Sequence, residues 1–215
     1  MDLRLSSKTF AATCGDDLVL LDIEDGTYAS LPGCGTLVRL SDESSAARVT
    51  EPQLAKALYA AGALEPGIGE PRMRPEPPGY DLGFPRAAEV RAGDVVRLGR
   101  ALAWMARSYW RAPFGTMLAR TQAQARGACG EIGKIERATL AFRRMLPWVP
   151  LQGVCLYRSC LLLAFLRLNG LSASWVFGVQ TFPFEAHCWL QAGDLVLDDD
   201  IEHVTSLAPI LALAP

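Results

Sequence analysis

The sequence predicts an α+β protein made of two units that are joined by a Pro- and Gly-rich segment. Three observations support this prediction. The first 64 residues alternate short apolar runs with turn residues, as strands do. Residues 66–85 are rich in Pro and Gly, a composition typical of an extended linker. From residue 94 onward apolar residues recur at helical spacing, and strand patterns return after residue 170.

Composition and charge exclude several broad classes of protein. Half of the residues are hydrophobic (50%) and 20% are charged, which is ordinary for a globular chain and argues against disorder. The net charge is −5 over residues 1–80 and +3 over residues 81–215, too weak a basic footprint to predict a nucleic-acid partner. The start lacks the pattern of a signal peptide, and the longest apolar run is far shorter than the roughly 20 residues that span a bilayer. We therefore expect a cytoplasmic protein without a membrane partner.

The six cysteines are expected to be reduced thiols. The chain is long enough for a hydrophobic core, so it does not need disulfides for stability. It contains no CxxC pair, and Cys155 and Cys160 would face different sides of a helix. The sequence thus predicts neither a metal site nor a cofactor.

The first unit, residues 1–66, is predicted to contain strands followed by helices. Residues 3–12 read as one strand, and Asp25-Gly26 between two apolar runs indicates a hairpin. A short helix is expected over residues 37–40, and a longer one from residue 52 to 61, ended by Gly62. Residues 67–88 form the predicted linker.

The second unit, residues 89–215, is predicted to contain helices packed on an antiparallel sheet. Helices are expected over residues 95–111 and 131–146, ended by Pro113 and Pro147. A third, apolar helix follows Pro150 and ends near residue 168. Strands are then predicted over residues 176–179, 185–192 and 195–199.

Cys155 falls in the first turn of the third helix. The helix dipole and the unpaired backbone N–H groups at that end favour a thiolate, which is the nucleophilic form of cysteine. A cysteine nucleophile also needs an imidazole to form an ion pair, and the imidazole needs an acceptor to fix its tautomer. By itself, however, a cysteine at a helix start is more often a small core residue.

Only two residues could supply the imidazole that pairs with the cysteine, because the chain has only two histidines. His187 lies within a strand pattern, whereas His203 follows an acidic run in a predicted loop. Asp198 and Asp199 end the neighbouring strand. If three residues make the intervening turn, Asp199 lies directly opposite His187; with a two-residue turn, Asp198 becomes its diagonal neighbour on the same face.

Three separated motifs resemble the B proteins of lasso-peptide biosynthesis, which are transglutaminase-like leader peptidases. They are Cys-Leu-Tyr-Arg-Ser at 155–159, Pro-Phe-Glu-Ala-His-Cys-Trp at 183–189 and Val-Leu-Asp-Asp at 196–199. They match CLxRS, PFxAHxW and V-[VL]-N-D in order, and the resemblance covers about residues 150–210. It implies a papain- or transglutaminase-like fold with Cys155, His187 and Asp199 as the catalytic residues. The chain departs from the family at Asp198, usually Asn, and at Cys188, usually Ala.

The first unit is similar to the PqqD-like winged-helix domains that recognise leader peptides, chiefly through the stretch at residues 15–33. This similarity implies that a leader binds as an added strand, with specificity from an adjacent helix. The implied substrate-binding residues are Thr27, Tyr28, Ala29, Ser30, Leu31, Leu54 and Leu58.

The two resemblances together imply a cysteine endopeptidase that cleaves the leader from a ribosomally made lasso-peptide precursor. The implied partners are that precursor and an ATP-dependent, asparagine-synthetase-like macrolactam cyclase. Gln152 is a candidate oxyanion donor, and Arg158 is expected to form a structural ion pair. Two alternatives stay open: a transglutaminase-like acyltransferase, and a non-catalytic module that binds or chaperones the precursor.

Overall fold

A computed structural model describes residues 2–83, 89–109, 112–123, 130–150 and 154–215. The strands and helix of the first part are β1 (Leu3–Leu5), β2 (Thr9–Cys14), β3 (Asp17–Asp22), β4 (Thr27–Leu31), β5 (Val38–Leu40), β6 (Ala46–Val49), α1 (Pro52–Ala60) and β7 (Leu64–Pro66). The rest comprises β8 (Tyr80–Asp81), α2 (Ala92–Ser108), α3 (Phe114–Ala123), α4 (Ile132–Met145), α5 (Cys155–Leu168), β9 (Ser174–Thr181), β10 (Phe184–Ala192), β11 (Leu195–Val196), α6 (Ile201–Thr205) and β12 (Ala208–Leu213).

The prediction of a single strand over residues 3–12 is wrong, because a turn divides it into β1 and β2. The Ser6 and Thr9 hydroxyls are hydrogen-bonded at 2.9 Å, and the Thr9 N–H donates to the Ser6 carbonyl. Short polar side chains of this kind favour turns by competing for backbone hydrogen bonds. As a result β1 joins a sheet of order β5-β6-β1-β7, whereas β2 begins a separate meander of order β2-β3-β4.

The hairpin at Asp25-Gly26 is confirmed, since β3 and β4 pair antiparallel and Gly26 has a φ of 71°. The helix expected over residues 52–61 is also confirmed as α1, and the Glu51 carboxylate caps it by accepting from the Gln53 N–H. The helix expected over residues 37–40 is wrong. Only a 3₁₀ turn at Gly35–Leu37 forms there, because the following residues pair with β6 as strand β5.

The meander β2-β3-β4 lies between two hydrophobic cores. Successive side chains of a strand point to opposite faces. Val19 and Leu21 of β3, both fully buried, therefore join the large core of the second half. Leu18 instead joins a smaller core with Leu31 and the α1 residue Leu58. The β2-β3-β4 sheet thus packs against both hydrophobic cores, one on each face.

The Pro- and Gly-rich segment is extended, and hydrogen bonds fasten it to both halves of the molecule. Near its start the Glu70 carbonyl accepts from the Ser45 N–H. Further on, the Gly79 N–H donates to the Asp194 carbonyl, and β8 pairs in parallel with β11. Of the predicted linker, residues 84–88 lie outside the described part of the chain.

In the second half, α5 packs against strand β10 of the sheet, and α2 and α4 pack against α5 and against each other. Asp94 of α2 is buried and accepts two hydrogen bonds of 3.1 Å from the Arg137 guanidinium of α4. The interior of α5 is almost entirely apolar and buried, so this helix lies inside the domain against β10. The helices predicted over 95–111 and 131–146 are confirmed as α2 and α4, and the third as α5, with shifted ends.

The sheet of the second half has the order β12-β9-β10-β11-β8. Strand β10 pairs antiparallel with β9 along its whole length up to Gln191. The strand predicted over residues 195–199 is too long, because only Leu195–Val196 pairs with β10, across the two-residue turn Gly193-Asp194. Within the residues that the structure describes, no helix is both long and apolar enough to cross a bilayer.

The position of the meander can be tested with one substitution made at two sites. Val19→Ala should destabilise the protein by about 2 kcal/mol, because it removes two buried methyl groups and leaves a cavity. Val96→Ala on the exposed face of α2, where the side chain is 63% exposed, is the control and should leave stability nearly unchanged. Urea unfolding followed by circular dichroism measures both. Equal effects would contradict the packing described for β3.

Candidate active site

Cys155 is the first residue of α5, and the extended residue Val154 precedes the helix. The first four N–H groups of a helix have no partner within it, so the Cys155 amide N–H is available to a bound group. The rest of α5 is fixed in the core, which holds the thiol at the rim of the buried region. The prediction that Cys155 lies in the first helical turn is confirmed.

His187 lies in the middle of β10, opposite Gly178 of β9. Trp189 points to the same face two residues further on, and its ring lies nearly parallel to the imidazole with 6.4 Å between centroids. A Cβ atom at Gly178 would come within 2.9 Å of the Trp189 ring. The glycine therefore gives Trp189 the space in which it supports His187.

Asp199 lies between the end of β11 and the start of α6, and its carboxylate faces His187. Asp199 Oδ2 is 2.5 Å from His187 Nε2 and accepts from Arg158 at 3.0 Å. Because Nε2 is engaged in this way, Nδ1 of His187 is left for the sulfur of Cys155, with which the imidazole interacts. The three residues implied by the resemblance are thus brought together in the order Cys155, His187, Asp199.

Asp198 does not contact His187, although the two-residue turn would make it the diagonal neighbour in a longer strand. Its side chain turns inward, where Oδ1 accepts from the Leu190 N–H at 2.7 Å and Oδ2 is 2.6 Å from the Ser159 hydroxyl. Burial raises the pKa of Asp198, despite the nearby Arg158 guanidinium. A protonated Asp198 would donate to Ser159, whose own proton is then free for the Cys188 carbonyl at 3.2 Å.

The electrostatics of the site favour a thiolate–imidazolium pair. A hydrogen bond from the Cys188 thiol and the interaction with His187 outweigh burial and lower the pKa of Cys155 to about 4. Burial alone would lower the pKa of His187, but the carboxylate of Asp199 and the Cys155 sulfur raise it to about 9. For Asp199, burial by itself would raise the pKa, but the hydrogen bonds from His187, the Asp200 N–H and His203 together outweigh it, and the pKa lies well below the usual range.

Cys188 is a member of the site that the sequence analysis noted only as a departure from the family. It is buried, and burial holds its pKa well above the usual range. It therefore stays a neutral thiol that donates its proton to the Cys155 thiolate. Its position next to His187 in the sequence could have suggested this contact only if it were known that α5 packs against this strand.

His203 was not assigned a role from the sequence, and the prediction that it lies in a loop is wrong. It lies in α6, a short helix that the Asp200 carboxylate caps by accepting from the Glu202 N–H at 2.8 Å. Its Nδ1 is 3.1 Å from Asp199 Oδ1, and its Nε2 is 2.9 Å from Glu185 Oε1. The spacing of four residues from Asp199, after a capping Asp, is the signal that could have indicated this contact.

The residues implied for leader binding occupy two elements. Five of them form β4, which in the described part of the chain pairs only with β3. Leu54 and Leu58 lie on α1 and share the smaller core with Leu31. Tyr28 faces the other way, and its ring meets the ring of Phe184, at the start of β10, edge-on at 5.9 Å. Gln152 lies outside the described residues.

Glu185, His187 and His203 are close enough to hold one cation, with ligand atoms within 4.8 Å of one another. Hydrogen bonds explain this proximity without a metal. Each histidine is bonded to a carboxylate, and His203 Nε2 is bonded to Glu185 itself. We assign no metal ligand here.

A sequence profile described as Transglutaminase-like superfamily matches residues 94–212, more than half of the chain. The chain belongs to the transglutaminase-like superfamily. This superfamily includes cysteine peptidases and acyltransferases. The matched segment contains Cys155, His187 and Asp199, and confirms a transglutaminase-like domain in the C-terminal part of the mixed helix-and-sheet fold. Comparisons with curated proteins and with solved structures each found no match.

The ion pair predicts how the reactivity of Cys155 depends on pH. The thiolate should persist down to a pH of about 4, where protonation removes it, and the imidazolium should be lost only above a pH of about 9. Iodoacetamide should therefore alkylate Cys155 at pH 5 to 6, where a cysteine with the usual pKa of about 8.5 barely reacts. Mass spectrometry of the Cys155 peptide gives the rate. Cys160, with a pKa raised to about 12 by burial, is the internal control.

The neighbouring aspartates should respond differently to removal of the carboxylate. Asp199→Ala should raise the apparent pKa of Cys155, since His187 loses its acceptor, while the fold survives. Asp198→Ala should instead cost about 1–3 kcal/mol of stability, because the Leu190 N–H loses its buried acceptor. Thermal unfolding and the alkylation profile, measured on both variants, separate the two roles. The reverse pattern would make Asp198 the residue that orients His187.

Proposed function

We propose that this protein is a cysteine endopeptidase that removes the leader from a ribosomally made lasso-peptide precursor. The observation that carries the proposal is the Cys155 thiolate at a helix start, paired with an imidazole that a carboxylate orients. The three motifs that contain these residues are similar in order and spacing to those of the lasso-peptide B proteins. Membership in a superfamily that includes cysteine peptidases supports the same chemistry.

The proposed reaction proceeds through a thioester. The Cys155 thiolate attacks the carbonyl carbon of the scissile peptide bond, and the Cys155 backbone N–H stabilises the resulting oxyanion. The C–N bond then breaks as the His187 imidazolium donates its proton to the leaving amine. His187, now neutral, accepts a proton from water as that water attacks the thioester. The carboxylic acid leaves and the Cys155 thiolate returns, with Asp199 holding the imidazole throughout.

Strand β4 is the proposed binding edge for the leader. The two-residue turn between β2 and β3 makes Cys14 and Asp17 a hydrogen-bonded pair. Counting along both ladders from this pair, the backbone groups of Tyr28 and Ser30 point away from β3, toward the free edge. A peptide added there would place alternate side chains toward α1 and toward the catalytic half. Leu54 and Leu58 of α1 would supply apolar contacts for the peptide side chains that point toward α1.

The same strand connects leader binding to the catalytic residues. Tyr28 packs against Phe184, and Phe184 begins the strand that carries His187 three residues later. A precursor that is bound along β4 would therefore hold its following segment near Cys155. Tethering of this kind raises the effective concentration of the scissile bond without any further contact.

The proposed product is a core peptide with a free amino terminus. Closing such a peptide into a macrolactam needs an activated carboxyl group, because amide formation in water is unfavourable without activation. An ATP-dependent, asparagine-synthetase-like cyclase supplies this chemistry and is the proposed partner, together with the precursor itself.

Incubation of the full chain with a synthetic precursor tests the proposal. The precursor is taken from a short reading frame beside this gene, and products are identified by mass spectrometry. Wild type should release two shorter peptides whose masses sum to that of the precursor plus one water. Cys155→Ala should reduce this rate by at least about 10³-fold while it still binds the precursor.

Two other results would change the assignment. With glycinamide added, a conjugate in place of the free acid would make the protein an acyltransferase. Processing that survives Cys155→Ala would make it a non-catalytic precursor-binding module.

The binding edge can be tested with a pair of variants at one position. Ser30→Pro removes the outward N–H and should weaken leader binding about tenfold or more, because one hydrogen bond to the added strand is lost and the ring obstructs it. Ser30→Ala keeps the N–H and should bind like wild type. Fluorescence anisotropy of a labelled leader peptide measures both. Equal affinity of the two variants would place the leader elsewhere.

A further inference from the structure

His203 is the one histidine that the proposed reaction does not use, and both of its ring nitrogens face carboxylates. Nδ1 is 3.1 Å from Asp199 Oδ1, and Nε2 is 2.9 Å from Glu185 Oε1. Ionised carboxylates only accept hydrogen bonds, so a ring that donates to both of them carries two protons. His203 is thus held as an imidazolium between two negative groups.

The two oxygens of the Asp199 carboxylate accept hydrogen bonds from different donors. Oδ2 accepts from His187 and Arg158, while Oδ1 accepts from His203 and, at 2.9 Å, from the Asp200 N–H. Rotation of the carboxylate about the Cβ–Cγ bond would break bonds on both sides. Because Asp199 lies between the end of a strand and the start of a short helix, regular backbone pairing does not fix its orientation. Its hydrogen bonds have to do so.

Glu185 fixes the other side of the His203 ring. It lies on β10 two residues before His187, and the two side chains therefore share one face of the strand. Its second oxygen accepts from Gln180 Nε2 of β9 at 2.9 Å, which limits its own movement. His203 consequently ties α6 to the strand that carries the proposed general acid.

We propose that His203 is a positioning residue: it holds the Asp199 carboxylate with Oδ2 toward His187, using Glu185 as its own support. This positioning role rests on the proposed function only where it concerns the rate of peptide cleavage. The state of the Cys155 thiolate reports on the same geometry without any substrate. Conversely, a ring held only for the stability of α6 would leave that state unchanged.

The position of the His203 ring and its positive charge would have opposite effects on the pKa of His187. The His203 and His187 rings are 4.5 Å apart, so a positive His203 by itself disfavours a positive His187. If His203 acted through its charge, its removal would raise the pKa of His187. If it positions Asp199, its removal lowers that pKa and raises the pKa of Cys155. Among the described residues, the charged and titratable groups that interact with the two rings are Glu185, Asp199 and Cys155. The next charged and titratable groups are one contact further away: Arg158 bonds to Asp199, Asp198 lies 3.8 Å from Arg158, and Cys188 interacts with Cys155.

The experiment measures the alkylation of Cys155 by iodoacetamide from pH 3.5 to 10, by mass spectrometry of the Cys155 peptide. His203→Phe keeps a ring but removes both hydrogen bonds, and should raise the apparent pKa of Cys155 by about one unit. That shift slows alkylation about tenfold at the acid end of the profile. His203→Asn should restore most of the wild-type profile, since Asn Nδ2 occupies the position of His Nδ1 and still donates to Asp199. Glu202→Gln, at an exposed position on the same helix, is the control.

Each outcome decides the question. An unchanged or lowered apparent pKa in His203→Phe, in a variant that retains the wild-type circular dichroism spectrum, would overturn the proposal. If His203→Phe does not fold, the comparison is made with His203→Gln, whose amide reaches Glu185 but not Asp199. Here a profile like that of His203→Asn would overturn the proposal, and a raised pKa would support it. A wild-type Cys155 with an ordinary pKa would instead contradict the proposed function.

Discussion

The Asp199 carboxylate accepts hydrogen bonds from two imidazoles, a guanidinium and a backbone amide, and the remaining site geometry depends on it. A carboxylate with this many donors remains ionised, and an ionised acceptor raises the pKa of His187. The imidazolium in turn helps to hold Cys155 as a thiolate. Asp199, which lies outside both the helix and the strand, therefore contributes through His187 to the charge that makes the cysteine nucleophilic, together with the Cys188 thiol.

The buried elements around this carboxylate are rigid for a simple reason. Most side chains of helix α5 are apolar and buried, so it packs at the centre of the domain and brings Cys155 with it. Strand β10 is paired along its length with β9, which fixes His187. Asp198, buried beneath the site, bonds to β10 through the Leu190 N–H and contacts Ser159 of α5. The two aspartates therefore have different roles: Asp198 joins α5 to β10, and Asp199 orients the His187 imidazole.

The first half of the chain is built into this arrangement through the β2-β3-β4 meander. Because its two faces belong to two different cores, the strand proposed to bind a leader cannot move far from the catalytic half without exposing Val19 and Leu21. Tyr28 and Phe184 meet where these parts adjoin.

The sequence by itself determined the elements with strong local signals: the Asp25-Gly26 hairpin, helix α1, the helix that starts at Cys155 and the strand around His187. It missed the division of residues 3–12, the short strand β5 and the early end of β11, because sheet pairing and side-chain hydrogen bonds override local pattern there. Strand register alone favoured Asp198 as the partner of His187 once the turn had two residues. Only the tertiary structure decided for Asp199. The Leu197 N–H still donates to the Leu190 carbonyl, but the Leu190 N–H donates to the Asp198 side chain, so regular pairing ends there and Asp198 is buried. The contacts of Cys188 and His203 likewise depend on how α5 and α6 pack against β10, which no spacing in the sequence encodes.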